Sequence, residues 1–193
     1  PTAWVIPGDD PRPGEVAELV NLLRAQAVEV HRLDQETEIA KVKYPAGSYV
    51  VRMDQPYSRM ADMLLDTQYY NISDPSPYDD TGWTVGALRN VKTVRLTDPA
   101  ALKAQMTLLR SDAKAPGGVR GAASAAYIVN HNADNTLATF RFRLANVRML
   151  AAEDSFQADG RTFNAGSFII KADRNGADLR ARIEAAASEL GVT

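Results

Sequence analysis

Tyr44-Pro45-Ala46-Gly47-Ser48-Tyr49-Val50-Val51 and Phe163-Asn164-Ala165-Gly166-Ser167-Phe168-Ile169-Ile170 are one phrase written twice. The match extends without a gap from Val28–Val51 onto Val147–Ile170, at an offset of 119 positions. Upstream, Ala3-Trp4-Val5-Ile6 resembles Ala126-Tyr127-Ile128-Val129 at an offset of 123, so the first copy carries four extra residues in one loop. Self-similarity of this kind marks a duplicated supersecondary unit. Each Gly-Ser step supplies a turn that a β-carbon would obstruct, just before an apolar run with the composition of a buried strand.

Working outward, Trp4-Val5-Ile6 reads as a strand ended by Pro7-Gly8. Val16, Leu19, Val20 and Leu23 lie at helical spacing. Residues 28–33 read as a second strand, and 38–43 reads as a hairpin partner of 48–53 across Pro45-Ala46-Gly47. A helix near Pro56, a strand over 92–96 and a helix over 100–109 after Asp98-Pro99 complete the first copy. The second copy repeats the order: strand 126–129, a helix with Leu137, Phe140 and Leu144, strand 147–151, the arm 163–170, and a helix with Leu179, Ile183, Ala187 and Leu190. Strands alternating with helices lead us to expect a three-layer, doubly wound, mostly parallel α/β sheet. The expected organisation is a single domain over residues 1–193, with halves at about 1–110 and 122–193. Residues 111–121, small and polar around Pro116-Gly117-Gly118, read as the linker.

A 193-residue chain with 45% hydrophobic and 24% charged residues can bury a sizeable core. The net charge of −2 gives no electrostatic case for nucleic acid or an anionic membrane. Arg141, Arg143, Arg148, Arg174, Arg180 and Arg182 read as solvated helix faces. No apolar run approaches the roughly 20 residues of a membrane span, and no cleavable signal is evident. Pro1 in place of an initiating methionine suggests a processed chain or an excised piece. With no cysteine, disulfides, thiolate nucleophiles and cysteine metal sites are excluded.

The only two histidines stand in His31-Arg32-Leu33-Asp34 and His131-Asn132-Ala133-Asp134. Zinc hydrolases of the carboxypeptidase type use H-x-x-E with a distant third ligand. Here the acid is Asp, and the repeat places His31 opposite Leu150, so the two histidines are not equivalent. No metal site is expected within this chain. Asn130-His131-Asn132 follows a strand directly, where ligands gather in open parallel sheets, although Asn130, Asn132 and Asp134 serve equally as caps of the next helix. No nucleophile elbow, dinucleotide fingerprint or Walker loop is present, and no catalytic residue is assigned. Gln55-Pro56-Tyr57, Gln68-Tyr69-Tyr70 and Pro77-Tyr78-Asp79-Asp80-Thr81-Gly82-Trp83 form the most distinctive segment. In the second copy Asp173-Arg174-Asn175 stands where Gln55-Pro56-Tyr57 would be, so that copy is expected to lack a counterpart. Gln55, Tyr57, Tyr78, Asp79 and Trp83, with Asn130 and His131, are the candidate binding residues. The aromatic rings suit a peptide or glycan, or contact with a neighbouring domain.

Tyr44–Val51, Gln55-Pro56-Tyr57 and Pro77–Trp83 together resemble the region downstream of the peptidase domain in large bacterial proteins of the zinc carboxypeptidase (carboxypeptidase A-like) family. There the peptidase is followed by a module similar to type 1 glutamine amidotransferases. The resemblance implies a flavodoxin-like fold, a secreted or periplasmic parent, zinc only in the parent's peptidase domain, and that domain as partner. The zinc ligands lie outside the matching part, and the amidotransferase cysteine has no equivalent. The expected role is a non-catalytic accessory module for domain packing or substrate presentation. A peptide- or glycan-binding module is the alternative, and a hydrolase around Asn130, His131 and Asp134 is the third reading.

Overall fold

Trp4-Val5-Ile6 alternates its side chains between two buried faces, and that alternation organises the first half of the chain. A computed structural model describes residues 1–67, 71–75, 82–123 and 125–193. The chain divides into two units, residues 1–10 with 15–113, and residues 11–14 with 114–193.

In chain order the first unit contains β1 (Ala3–Ile6), α1 (Pro13–Ala25), β2 (His31–Leu33), β3 (Thr37–Ile39), β4 (Val42–Tyr44) and β5 (Tyr49–Arg52). After these come α2 (Ser58–Leu65), α3 (Val85–Leu88), β6 (Val94–Leu96), a 3-10 turn (Pro99–Lys103) and β7 (Met106–Leu108). Five strands form one sheet in the order β6-β1-β5-β2-β7. Trp4 and Ile6 pack on one face with Leu19, Val20 and Leu23 of α1 and Ala61 and Leu65 of α2. Ala3 and Val5 pack on the other face with Val50, Leu33, Leu96, Ala101 and the hairpin residues Ile39 and Tyr44. The central strands are therefore buried on both sides, as their apolar runs require.

The second unit contains β8 (Ala126–Val129), α4 (Thr136–Arg143), β9 (Leu150–Ala151), β10 (Phe156–Ala158), β11 (Arg161–Phe163), β12 (Phe168–Lys171), a 3-10 turn (Ala172–Arg174) and α5 (Leu179–Leu190). Its sheet order, β8-β12-β9, reproduces β1-β5-β2. The register also repeats: Ala3 faces Arg52 as Ala126 faces Lys171, and His31 faces Val50 as Leu150 faces Ile169. Val129, Phe140, Leu144, Ile170, Leu179 and Ile183 form its core.

The mostly parallel, doubly wound arrangement is overturned, and with it the flavodoxin-like fold that the resemblance implied. Among the described residues every strand pairing is antiparallel. β1 and β2 do run in one direction across α1, but β5 is inserted between them and pairs with both. A strand–helix–strand signal cannot distinguish adjacent parallel strands from a pair split by a later strand. The expected hairpin also moves: β3 pairs with β4 across Ala40-Lys41, and 49–52 joins the main sheet instead. Residues 100–109 form no α-helix. Asp98 accepts a hydrogen bond from the Ala100 N–H at 2.9 Å, the 3-10 turn stops at Lys103, and Met106–Leu108 extends along β2.

Candidate functional site: an uncovered sheet in the second unit

The repeated Gly-Ser turn is built the same way in both units. Gly47 and Gly166 hold φ of +87° and +85°, in the left-handed region that glycine occupies without strain. Ser48 and Ser167 are fully buried. The Ser48 hydroxyl accepts from the Gly8 N–H at 2.9 Å and donates to the Pro45 carbonyl at 2.8 Å. The Ser167 hydroxyl accepts from the His131 N–H at 3.0 Å and donates to the Asn164 carbonyl at 2.6 Å. Both serines tie a turn to the end of a neighbouring strand, and this local role occupies their hydroxyls.

Gln55 is buried and committed to the main chain. Its Oε1 accepts from the Glu29 N–H at 2.7 Å, and its Nε2 donates to the carbonyls of Glu29 and Arg52 at 2.9 and 2.7 Å. The second unit has an amide clamp of the same kind, although no glutamine aligns with Gln55 there. Asn175 accepts from the Arg148 N–H at 2.9 Å and donates to the carbonyls of Arg148 and Lys171. Arg148 and Lys171 are the repeat equivalents of Glu29 and Arg52. Tyr57 and Trp83 present exposed rings. Tyr78 and Asp79 lie outside the described residues.

In the second unit, Asn130 Oδ1 accepts from the Asn164 N–H at 3.0 Å, and the His131 carbonyl accepts from Asn164 Nδ2 at 2.8 Å. The His131 residue itself is exposed. Asp134 is buried. Its carboxylate accepts from the Thr136 N–H and hydroxyl at 3.0 and 2.7 Å, and from the Gly14 N–H at 2.9 Å. An acid so saturated is a structural cap. With no parallel sheet, the reason for expecting ligands beside Asn130 and His131 also falls away. His31, in the first unit, holds a buried Nδ1 without a hydrogen-bond partner. Burial, then the nearby Arg52 guanidinium, lowers its pKa. Among the described residues no group of three or more His, Asp or Glu is gathered for a metal ion.

The feature that sequence reasoning missed is a difference of cover. In the first unit, Ala3, Val5 and Val50 are fully buried beneath the hairpin, β6 and the 3-10 turn. Their equivalents Ala126, Ile128 and Ile169 are only half-buried, and Leu150 is 55% exposed. No counterpart of β6 or β7 pairs with β8 or β9 among the described residues. The hairpin β10–β11 persists, with Phe156 and Phe163 stacked at 5.4 Å between centroids. A cavity of about 470 Å³ runs beside β8, between Ala126, Ile128, Phe163 and Ile183, with Arg120 and Arg161 at its rim. A second, of about 270 Å³, borders β9 and is lined by Met149, Leu150 and Ile169 with Arg148, Lys171 and Arg174.

The chain holds two related antiparallel units, and among the described residues the sheet of the second lacks the outer strands that flank the first. In comparisons with known proteins, no family model, curated protein or solved structure matches the chain.

Proposed function

We propose that the chain is a non-catalytic accessory module whose second unit docks another polypeptide on its open sheet. The observation that carries this is the exposed Leu150 beside the half-buried Ile128 and Ile169; their equivalents are His31, Val5 and Val50, of which Val5 and Val50 are fully buried in the first unit. Apolar surface of this kind, rimmed by charge, is characteristic of protein contact. The polar side chains of Ser48, Ser167, Gln55 and Asp134 hold loops in place. The resemblance to zinc carboxypeptidase-type proteins supplies the partner expected, a peptidase domain, with the zinc held there and the whole secreted or periplasmic. Among the described residues no helix is long and apolar enough to cross a membrane.

A photo-crosslinking amino acid placed at Leu150 tests this in the full-length protein. Adducts should join position 150 to the peptidase domain, with none from a control at Arg59. Reaction with water alone at position 150 would contradict the docking role. A second reading, peptide or glycan binding by the tyrosine-rich segment, is favoured by the exposure of Tyr57 and Trp83. Titration with peptidoglycan fragments separates it, since Trp83→Ala would abolish that binding without unfolding the chain.

A further inference from the structure

The amide clamps of the two units differ in one chemical respect. Gln55 is followed by Pro56, whose nitrogen carries no hydrogen, whereas Asn175 is followed by Gly176. Asn175-Gly176 is the only Asn-Gly step in the chain. An asparagine can react with its own main chain: the nitrogen of the next residue attacks the side-chain carbonyl carbon Cγ and closes a five-membered ring. A following glycine favours this step, because no β-carbon screens its nitrogen and its backbone turns freely. Glutamine would need a six-membered ring, and a proline nitrogen has no proton to give up. The first unit's clamp is inert on both counts; the second unit's is not.

In the fold, three hydrogen bonds hold the Asn175 amide. Its Oδ1 accepts from the Arg148 N–H at 2.9 Å, and its Nδ2 donates to the Arg148 and Lys171 carbonyls at 3.2 and 2.9 Å. The main chain there is extended, with φ −134° and ψ 168°, so the Gly176 nitrogen is turned away from the eclipsed position beside Cβ that ring closure needs. Asn175 is half-buried and Gly176 is exposed, so water reaches the reacting pair. We infer that Asn175 is a latent modification site, guarded by its own clamp, that converts to aspartate and isoaspartate when the second unit opens locally. The step balances with water as the only co-reactant. The Gly176 nitrogen gives up its proton and bonds to Cγ, the Cγ–Nδ2 bond breaks, and Nδ2 leaves as ammonia. Water then opens the ring. Cleavage of the new nitrogen–Cγ bond yields aspartate, and cleavage of the original peptide bond yields isoaspartate, with the chain running through the side chain.

The product cannot restore the clamp. A carboxylate has no hydrogen to donate, so the Arg148 and Lys171 carbonyls lose their donor and face a negative charge instead. Arg148 leads into β9 and Lys171 ends β12, and these strands pair through Ala151 with Phe168 and Leu150 with Ile169. The modification therefore removes a tie across that pairing, and a molecule that has opened and reacted closes to a weaker second unit. The first unit, held by Gln55-Pro56, is spared.

The test follows the exchange of NH₂ for OH at position 175 by peptide mass spectrometry during incubation in mildly alkaline buffer. Three samples are compared: the folded full chain, the full chain in guanidinium chloride, and the free peptide Lys-Ala-Asp-Arg-Asn-Gly-Ala-Asp-Leu. The peptide and the denatured chain should react at similar rates and give two chromatographically distinct products. The folded chain should react roughly a hundredfold more slowly, since each of the three hydrogen bonds suppresses opening by a factor of about 2–10. After ageing in denaturant and refolding, the chain should exchange the Ala152 amide, bonded to the Ser167 carbonyl, roughly tenfold faster than before. Asn175→Gln should be unchanged by the same ageing, and Asn175→Asp should show the faster exchange from the start; the aged chain supplies the reading where Asn175→Asp does not fold. Equal reaction rates in the folded and denatured chains would overturn the inference. So would an unreactive free peptide, or a modified chain whose Ala152 exchange matches that of the unmodified one.

Discussion

Replacing Ser48 by alanine removes one oxygen and little else, so it isolates the device shared by both units. The hydroxyl makes two hydrogen bonds, to the Gly8 N–H and the Pro45 carbonyl. Each contributes about 0.5–1.5 kcal/mol net, which sets the loss at ~1–3 kcal/mol. Ser48 is fully buried, so water cannot reach the vacated position without rearrangement, and ~2 kcal/mol is the expected value. Urea denaturation followed by tryptophan fluorescence reads this directly, because Trp4 lies in the first unit's core. Ser167→Ala should lower the second unit's stability by a similar amount, followed by amide exchange around Ala152, whose N–H bonds to the Ser167 carbonyl. If Ser48→Ala stayed within ~0.5 kcal/mol of the parent chain, the serine would be a bystander and its recurrence would need another explanation.

Three further outcomes are expected. His31→Leu, adopting the residue of the second copy, should stabilise the first unit by ~1 kcal/mol by removing an unpaired buried nitrogen. Because the His31 pKa is lowered in the fold, the unfolded chain binds the proton first, so stability falls as pH drops through the unfolded value of 6.5. In His31→Leu that part of the acid loss, measured by urea titration between pH 8 and pH 5 (about the range of histidine titration,), should vanish. Lys41→Gly should raise stability by ~0.5–1 kcal/mol, since Lys41 sits at φ +65° where the second copy has Gly160 at +70°; an unchanged thermal midpoint would count against strain there. Gln55→Ala should destabilise the first unit by ~2 kcal/mol through the lost bonds to Glu29 and Arg52. Unchanged stability with lost ligand binding would instead return Gln55 to a recognition role.

The repeated Ala-Gly-Ser phrase was legible because a positive-φ glycine followed by a buried serine leaves a fixed local signature. The direction of the strands was not, because β5 enters between β1 and β2 only after the hairpin has turned the chain. That hairpin was hidden in the first copy, where Ala40 and Lys41 take φ of +51° and +65° without a glycine to announce it. The second copy spells the same turn as Asp159-Gly160, the composition expected of a two-residue hairpin loop. Reading one copy through the other would have located it. The amide clamp escaped notice for a chemical reason: asparagine is one methylene shorter than glutamine, and Asn175 reaches the equivalent carbonyls from one residue further along. The open sheet was invisible to motif reading because it consists of a missing neighbour, not of a distinctive residue.

Amide hydrogen exchange compared between β1 and β8 is the most direct single measurement. β1 is flanked by β5 and β6, so the amides of Ala3, Trp4 and Val5 should all be protected. β8 is paired only with β12 among the described residues, so protection should alternate along Ala126, Tyr127 and Ile128, the outward N–H groups exchanging fast. Uniform protection along both strands in the isolated monomer would contradict an open second unit.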